Sequence, residues 1–427
     1  MSTTFLNASI ITIGDELLIG QVVDTNSAWI AQELNKMGVW VRRRVAVGDN
    51  KEDIVKALDE ESLEASIIIM TGGLGPTADD ITKPLLCEYF GGKMVMDEKV
   101  LAHVKHLFES IFKRPAGMLL ERNIKQAEVP DVCTVLHNAR GTAPGMWFEK
   151  NGKVYVSLPG VPHEMKGLML DAVLPKLQLV FEMPAIVSKT LVTYGLGESM
   201  LAERIKDFEE SLPGIVKLAY LPNHGLVRLR LTAKGNDKQV LESVVTELHT
   251  KLKEQLQDVL VTDTDASLEN VVANLLLKQG KTMGTAESCT GGYIAQLITA
   301  QRGSSAYYKG SVISYANEVK QRVLNVAPAT LEQNGAVSEA TVKEMVAGGL
   351  KALGCDYVVA TSGIMGPDGG TAEKPVGTVW VGVGNKYKIE AVLFQFRFDR
   401  RRNIDTTAMN ALNLLRKFIA SNDEKIG

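Results

Sequence analysis

The residues whose types and spacing best suit catalysis lie in segment 285–292, which reads Thr-Ala-Glu-Ser-Cys-Thr-Gly-Gly. A short strand is predicted before it, over 282–285, and a helix after it, over 291–300. Backbone N–H groups at a helix start can stabilise an anion, so Ser288 is a candidate nucleophile with an oxyanion site beside it. A serine or threonine that only caps the helix gives the same pattern, and both interpretations stay open.

The distribution of histidine narrows the choice of base. All six histidines lie between positions 103 and 249, and 250–427 contains none. A Ser-His-Asp arrangement within that stretch is therefore excluded, and lysine is the known substitute when burial or a neighbouring cation lowers its pKa. Lys320 and Tyr315 follow a predicted strand over 310–314 at its carboxyl end. Because most lysines are solvated, a surface position for Lys320 is the alternative.

A third cluster, over 361–371, also follows a predicted strand and reads Thr-Ser-Gly-Ile-Met-Gly-Pro-Asp-Gly-Gly-Thr. Its glycines let the backbone approach a ligand closely, and successive N–H groups in such a loop form an anion-binding nest. It is not a Walker loop, because no Gly-Lys-Ser/Thr follows. Ordinary turn chemistry explains Pro367 to Gly370 equally well.

Four strings in order closely resemble the C-terminal domain of the CinA family, the nicotinamide mononucleotide deamidase module: TAESCTGG, YANEVK, GAVSE and SGIMGPDGG with EKPVGTVW. The resemblance covers about 267–420 and implies hydrolysis of the nicotinamide amide to the acid, with release of ammonia and without a metal. It matches Ser288 to the nucleophile, Lys320 to the general base and Tyr315 to an assisting hydroxyl. It implies oxyanion and substrate contacts from Thr290, Gly291 and Gly292, and substrate contacts from Thr361, Gly363 and Gly366. Glu287 and Arg400 are the further substrate contacts that we expect.

One stretch departs from the family pattern. Where the family usually has Gly-Asp-Arg and a Val-Arg pair soon after, this chain has Phe398, Asp399 and Arg400, followed directly by Arg401 and Arg402, and the Val-Arg pair is missing. We expect Arg400 to contact the substrate phosphate, since a guanidinium suits phosphate bidentately. Met365 stands where a small residue is usual, and we expect it to narrow the pocket.

A second constellation lies near the N-terminus, in segments 14–21, 24–27, 71–80 and 158–165. The first and third of these follow predicted strands, and ligands of parallel sheets bind beyond the carboxyl ends of the strands. Converging carboxylates beside glycine loops suit a hard divalent cation that carries phosphates. Helix capping is the alternative for Asp79 and Asp80, because acids favour a helix start in any case.

Residues 5–180 resemble the N-terminal domain of the same family, which is akin to molybdopterin-binding domains. The resemblance implies a metal-dependent ADP-ribose pyrophosphatase, although no Nudix-type glutamate-rich box is present. The nucleotide contacts that we expect are Asp15, Glu16, Asn26, Thr71, Gly72 and Gly73. The expected ligands of a divalent metal, whose identity the sequence leaves open, are Asp24, Asp79 and Asp80.

The elements that must position these residues alternate between strand and helix, which predicts mostly parallel sheets covered by helices and hence an α/β protein. We predict a molybdopterin-binding-like three-layer α/β domain over 1–181 and an α/β deamidase domain over 265–427. A small α+β domain over 182–258 resembles the family's KH-like domain, and 258–266 is predicted as a linker. The KH-like part lacks the Gly-x-x-Gly clamp of true KH domains, so RNA binding is not expected.

Composition restricts partners and location. The net charge is −3 and the pI about 6.2, which does not favour nucleic acid or an anionic membrane. Four scattered cysteines, no long apolar stretch near the N-terminus and no signal-like N-terminus fit a cytoplasmic protein. The resemblance implies nucleotide substrates, nicotinamide mononucleotide and ADP-ribose, and a homodimer. The alternative function is a molybdopterin-binding or competence and DNA-damage accessory protein without catalysis.

Overall fold

The protein is described from a computed structural model, and the described residues are 6–75, 77, 80–110, 120–223 and 225–423. The chain divides into two compact units. The first comprises Met1–Val187 with Ala233–Glu242, and the second comprises Ser188–Thr232 with Ser243–Gly427. Each is described by itself.

The first unit is built on a six-stranded sheet. Its strands are β1 (Asn7–Ile13), β2 (Trp40–Val47), β3 (Ile67–Thr71), β6 (Thr134–Leu136), β7 (Gly145–Lys150) and β8 (Lys153–Leu158). The order is β2-β1-β3-β8-β7-β6, in which β2, β1, β3 and β8 run parallel and β7 and β6 follow antiparallel. Two short strands, β4 (Met94–Met96) and β5 (Glu128–Pro130), form a separate antiparallel pair.

Helices cover both faces of this sheet. They are α1 (Asp15–Leu18), α2 (Thr25–Lys36), α3 (Lys51–Glu64), α4 (Thr82–Phe90), α5 (Glu98–Ser110), α6 (Glu121–Ile124), α7 (Pro162–Leu168) and α8 (Leu174–Val180), with a π-helical turn over Met169–Val173. Alternate residues of a strand face opposite sides. Ile10 therefore packs with Ile30 of α2 on one face, while Ile11 packs with Ile54 of α3 on the other.

The second unit begins with a four-stranded sheet in the order β10-β11-β9-β12. Its elements are β9 (Ala185–Tyr194), α9 (Glu198–Arg204), α10 (Lys206–Glu210), β10 (Val216–Asn223), β11 (Leu226–Gly235), α11 (Lys238–Gln255) and β12 (Leu260–Thr262). The prediction of a linker over 258–266 is wrong in its centre. Residues 260–262 pair antiparallel with β9 and bury Val261, which a solvated linker would leave exposed.

The rest of the second unit is a five-stranded sheet in the order β14-β13-β15-β16-β17. Its strands are β13 (Met283–Glu287), β14 (Tyr308–Ile313), β15 (Tyr357–Gly363), β16 (Thr378–Gly384) and β17 (Ile389–Gln395). The first three in this order run parallel, whereas β16 and β17 are antiparallel to their neighbours. The carboxyl ends of β13, β14 and β15 therefore meet at one edge.

Helices again lie on both faces of this sheet. They are α12 (Leu268–Gln279), α13 (Tyr293–Thr299), α14 (Asn317–Leu324), α15 (Pro328–Asn334), α16 (Glu339–Leu353) and α17 (Arg400–Asp423). Val359 of β15 packs in the cluster of α12, α13 and α17, while its neighbours Val358 and Ala360 pack with Val342 of α16. The predicted α/β class is confirmed. Among the described residues, no helix combines the length and the apolar character that crossing a bilayer would require.

Candidate active site

The turn that follows β13 carries Ser288. Strand β13 lies between β14 and β15, so its carboxyl end is central in the parallel part of the sheet. The Ser288 backbone N–H donates to the Thr361 carbonyl at the end of β15, at 3.0 Å. On the other side, the Ser314 N–H donates to the Glu287 carbonyl at 2.7 Å. The serine is thus tied to both neighbouring strands, and it is 8% exposed.

Lys320 lies on α14 and is 1% exposed, so the alternative of a solvated lysine is wrong. Its side-chain nitrogen lies 3.0 Å from the Ser288 hydroxyl oxygen. The same nitrogen donates to the backbone carbonyls of Ser314 at 2.7 Å and Tyr315 at 3.3 Å. Burial lowers the pKa of the Lys320 amine below its ordinary value, although the nearby Cys289 and Glu318 act in the opposite direction.

The structure corrects the role predicted for Glu287. Its side chain is fully buried, and its carboxylate accepts from the backbone N–H groups of Gly292, Ile294 and Ala295 at 2.9–3.1 Å. The Thr290 hydroxyl donates to it at 2.7 Å. Because the carboxylate oxygens are hydrogen-bonded to these internal donors, Glu287 holds the start of α13 instead of contacting a substrate. The start of α13 is, for the same reason, not an open anion site.

The hydroxyls of Thr290 and Thr361 are also internal. Thr290 is 4% exposed and Thr361 is fully buried, and their side-chain oxygens lie 2.8 Å apart. Since the Thr290 proton is given to Glu287, the Thr361 hydroxyl is the donor of this pair. Both side chains therefore connect β15 to the turn after β13, and neither hydroxyl is open to a substrate.

Two backbone N–H groups beside Ser288 are candidate oxyanion donors. The resemblance pointed to Thr290, and the Cys289 amide is the one that the sequence analysis missed. The N–H groups of Cys289 and Thr290, which directly follow Ser288, have no acceptor in any other described residue. The next amide, that of Gly291, donates to the Ser288 carbonyl at 3.2 Å, and Gly292 adopts a left-handed φ of 95° before α13 begins. The double glycine therefore turns the chain and leaves the two amides beside the serine without an acceptor in another described residue.

The glycine-rich loop starts at Gly363, the last residue of β15, and continues through Gly366. Asn403 of α17 fixes its base, because its fully buried amide donates to the carbonyls of Met365 and Phe398. The Ser362 hydroxyl donates to the Ala336 carbonyl at 2.7 Å, which joins this loop to the GAVSE segment. Met365 is 4% exposed and lies in the core, so its side chain does not narrow an open pocket.

Arg400 and Tyr315 lie against one another. The Arg400 guanidinium donates to the Gly366 carbonyl at 2.7 Å and to the Tyr315 hydroxyl at 3.3 Å. The Tyr315 side chain is 65% exposed, and its backbone carbonyl, not its phenol, accepts from Lys320. The predicted assistance of Lys320 by the Tyr315 hydroxyl is therefore not what this geometry provides.

In the first unit, four of the predicted nucleotide contacts gather at the carboxyl edge of the parallel strands. Asn26 donates to the Thr71 hydroxyl and to the Gly160 carbonyl, at 3.4 and 2.7 Å. Its own amide oxygen is buried and has no partner among the described residues. Gly72 and Gly73 follow Thr71 with positive φ, and a side chain at Gly72 would collide with the Ile13 backbone.

The acidic side chains that were expected in this site do not gather at the same edge. Asp15 and Glu16 are exposed in α1, and the Asp15 carboxylate accepts from the Asp49 N–H. Asp24 caps α2, where its carboxylate accepts from Thr12 and from the N–H and hydroxyl of Ser27. Each of these acids is already engaged or solvent-facing rather than directed at a common point.

Asp80 accepts from the backbone of Gly75 and from both donors of Thr77, while Asp79 lies outside the described residues. The described part of the chain contains no group of three or more histidine, cysteine, aspartate or glutamate side chains that could hold a metal ion. The described carboxylates Asp24 and Asp80 thus do not fit the predicted metal site.

Comparison with known proteins matches three families along the chain. Residues 265–419 match the CinA C-terminal domain, 9–179 the probable molybdopterin binding domain and 188–261 the damage-inducible protein CinA KH domain. These matches confirm the predicted molybdopterin-binding-like, KH-like and CinA C-terminal folds.

Relatives that match almost the whole chain have the same family description. A CinA-like protein of Cytophaga hutchinsonii is 47% identical over 97% of this chain and 98% of that protein. A CinA-like protein of Flavobacterium psychrophilum is 44% identical over 98% of this chain and 100% of that protein. A putative competence-damage inducible protein of Caldicellulosiruptor bescii is 38% identical over 96% and 99%, respectively. By its domains and by these relatives, the chain belongs to the CinA family.

Proposed function

We propose that the C-terminal α/β domain hydrolyses the carboxamide of nicotinamide mononucleotide to the acid and ammonia. The observation that carries the proposal is the buried pair of Ser288 and Lys320, with 3.0 Å between the hydroxyl oxygen and the amine nitrogen. This distance is within the range at which a base takes a proton from a nucleophile. Residues 250–427 contain no histidine that could take this role instead.

The contacts of Lys320 support its use as a neutral base. A neutral amine has two N–H donors and one lone pair. The carbonyls of Ser314 and Tyr315 can take the two N–H groups, so the lone pair is left facing the Ser288 hydroxyl. Burial favours this neutral form, because desolvation disfavours the charged one.

The proposed reaction uses these groups in two halves. In the first, the Ser288 proton passes to Lys320 while its oxygen bonds to the carboxamide carbon, and the amides of Cys289 and Thr290 stabilise the resulting oxyanion. Collapse of the tetrahedral intermediate breaks the carbon–nitrogen bond, and the Lys320 ammonium gives its proton to the leaving NH₂ nitrogen, which departs as ammonia. In the second half, a water gives its proton to Lys320 and attacks the ester carbon. The acid leaves, and Ser288 recovers its proton.

Arg400 is the proposed contact for the substrate phosphate. Its guanidinium has two neutral partners, the Gly366 carbonyl and the Tyr315 hydroxyl, so its charge is not used in an ion pair with either. Both partners lie in segments that border the candidate site, and the remaining N–H groups can bind a phosphate in the forked manner typical of arginine.

The proposal is tested by ammonia release from nicotinamide mononucleotide, with Ser288→Ala as the matched variant. Turnover by the parent protein and its loss in a folded Ser288→Ala protein are the expected results. Absence of turnover in the parent would contradict the proposal and favour the alternative, a binding or accessory protein without catalysis.

A second proposal concerns the first unit, for which we infer nucleotide binding and ADP-ribose hydrolysis at the carboxyl edge of β1, β3 and β8. The buried, unpartnered amide oxygen of Asn26 supports it, since such an oxygen can accept from a ligand hydroxyl. Hydrolysis of ADP-ribose with and without divalent metal, compared with Asn26→Ala, is the test. The need for a metal, the homodimer and the cytoplasmic location stay predictions.

A further inference from the structure

The carboxylate of Glu287 is enclosed at the start of α13, one residue before the candidate nucleophile. It is 0% exposed, and its partners are amides and hydroxyls rather than a cation. A buried carboxylate costs free energy unless its hydrogen bonds are satisfied. A neutral helix cap would hold the turn with a smaller desolvation cost. A charged side chain at this position therefore indicates a role beyond capping.

The contacts of Glu287 divide the backbone donors of the turn into two sets. The amides of Gly292, Ile294 and Ala295 point to the carboxylate. Those of Cys289 and Thr290 point to no other described residue. The helix start is therefore filled by an internal anion, and the free donors are confined to the two residues after Ser288.

Glu287 also reaches the neighbouring strand. Its carboxylate accepts from the Thr290 hydroxyl at 2.7 Å, and that oxygen in turn accepts from Thr361, at 2.8 Å. Thr361 belongs to β15, and its carbonyl accepts the Ser288 N–H at 3.0 Å. One acid thus fixes the helix, the turn and the strand between which Ser288 is held.

We propose that Glu287 is a positioning residue for acyl transfer: it neutralises the start of α13 and orients the turn so that only the Cys289 and Thr290 amides face the oxyanion formed at Ser288. This inference rests on the proposed function, because it assigns the oxyanion site of that same reaction. Glu287 touches no substrate and acts through the backbone of the turn.

The test compares Glu287→Gln with Glu344→Gln in the full-length protein. Glu344 is the matched control, since its carboxylate accepts from the Ala327 N–H and the Thr330 hydroxyl at the start of α15, the same type of contact outside the site. In Glu287→Gln, an N–H₂ group replaces one of the carboxylate oxygens that accept from backbone N–H groups. A donor then faces a donor, so the turn must shift. Urea unfolding of each variant reports whether the fold is retained.

Two readouts are measured on each folded variant. The first is steady-state turnover of nicotinamide mononucleotide. The second is the rate of Ser288 labelling by a fluorophosphonate, followed by intact mass. In that labelling, the serine oxygen bonds to phosphorus, the phosphorus–fluorine bond breaks, and the hydroxyl proton passes to Lys320. It needs the same nucleophile and oxyanion donors, but not the nucleotide.

For Glu287→Gln we expect kcat and the labelling rate to fall on the order of 10–100-fold with KM nearly unchanged, approaching the loss of one oxyanion donor. Glu344→Gln should match the parent in both. Parental rates in Glu287→Gln, an equal fall in Glu344→Gln, or a change confined to KM would each overturn the inference. If Glu287→Gln does not fold, Thr290→Val takes its place. That variant removes one link to the carboxylate, and a parental labelling rate there would also overturn it.

The two readouts separate the inference from the proposed function. A parent protein that is labelled at Ser288 but does not turn over nicotinamide mononucleotide contradicts the proposed substrate, while the labelling rates still decide the role of Glu287. A parent that is neither labelled at Ser288 nor active on nicotinamide mononucleotide overturns both, since there is then no activated serine to position.

Discussion

The side-chain nitrogen of Lys320 lies 2.7 Å from the carbonyl oxygen of Ser314. This contact is shorter than the one from the same amine to the Ser288 hydroxyl, at 3.0 Å. The carbonyl follows β14, so a rigid strand end orients the amine. A base held in this way has little freedom to turn away from its serine when it changes protonation state.

The first prediction concerns pH. A lysine acts as a base only when neutral, and burial lowers the pKa of Lys320 below its ordinary value. We therefore expect kcat/KM for nicotinamide mononucleotide to rise with pH and to level off below the pKa of a solvated lysine. A pH–rate profile measures it. Lys320→Arg, which stays charged, should lack the rise, and a rate that falls through that range as pH increases would contradict the assignment.

The second prediction concerns the coupling of Ser288 and Lys320. Ser288→Ala should lower kcat on the order of 10⁴–10⁶-fold, as for groups that act as one unit. Lys320→Met should lower it on the order of 10²–10⁴-fold, the usual contribution of a general base. The double variant should be no slower than Ser288→Ala, and multiplicative losses in single-turnover measurements would show that the two act independently.

The third prediction concerns Arg400 and the phosphate. Loss of a hydrogen bond to a charged group costs about 1.5–3 kcal/mol. For Arg400→Ala we expect KM for nicotinamide mononucleotide to rise roughly 10–100-fold, with a smaller change in kcat. Nicotinamide riboside, which lacks the phosphate, is the control substrate. Equal effects on the two substrates would place the role of Arg400 in holding Gly366 and Tyr315 instead.

The fourth prediction concerns metal. The candidate site of the C-terminal domain consists of an amine, a hydroxyl and backbone amides, so ammonia release should be unchanged in the presence of EDTA. Loss of ammonia release in EDTA would show that a metal takes part in a reaction for which none is proposed.

The fifth prediction concerns Lys83, a buried lysine of α4. Its amine donates to the Gln126 carbonyl at 2.8 Å, and burial lowers its pKa from 10.5 to about 8. Between pH 8 and pH 10.5 the unfolded chain binds more protons than the folded one, so the free energy of unfolding should rise with pH in this range. Below pH 8 Lys83 is charged in both states, and the full cost of burying its charge destabilises the folded protein.

Lys83→Met removes this dependence. The difference in the free energy of unfolding between the parent and Lys83→Met, measured by urea unfolding, should shift in favour of the parent by about 2 kcal/mol from pH 7 to pH 9.5. Lys105→Met, on the exposed side of α5, is the control and should follow the parent. A constant difference between parent and Lys83→Met would mean that Lys83 is not desolvated in solution.

Much of the fold and part of the site were accessible from sequence. Alternating strands and helices predicted the α/β class, because burial on both faces requires apolar strands between amphipathic helices. The absence of histidine predicted that a lysine acts as the base for Ser288, and in the structure the Lys320 amine lies 3.0 Å from the Ser288 hydroxyl. Both inferences depend on residue types and on the order of elements, which a sequence displays directly.

The remaining features depend on the direction of individual hydrogen bonds. The polar residues of the 285–292 segment looked alike in sequence, yet Glu287 and Thr290 bond to each other and hold the turn, whereas the Ser288 hydroxyl faces the Lys320 amine. An acid just before a small polar turn and a helix start was the signal that could have revealed the capping role. For Tyr315, the contact with Arg400 joins residues 85 positions apart, which no local pattern encodes.

Cys289, the neighbour of Ser288, has a consequence for inactivation. Its thiol is 6% exposed, and burial raises its pKa to about 12. Peroxides and alkylating reagents attack accessible thiolates, so sulfur at this position stays inert although it adjoins the reacting oxygen. An enzyme with this arrangement would keep its catalytic rate under oxidising conditions that inactivate enzymes with a cysteine nucleophile.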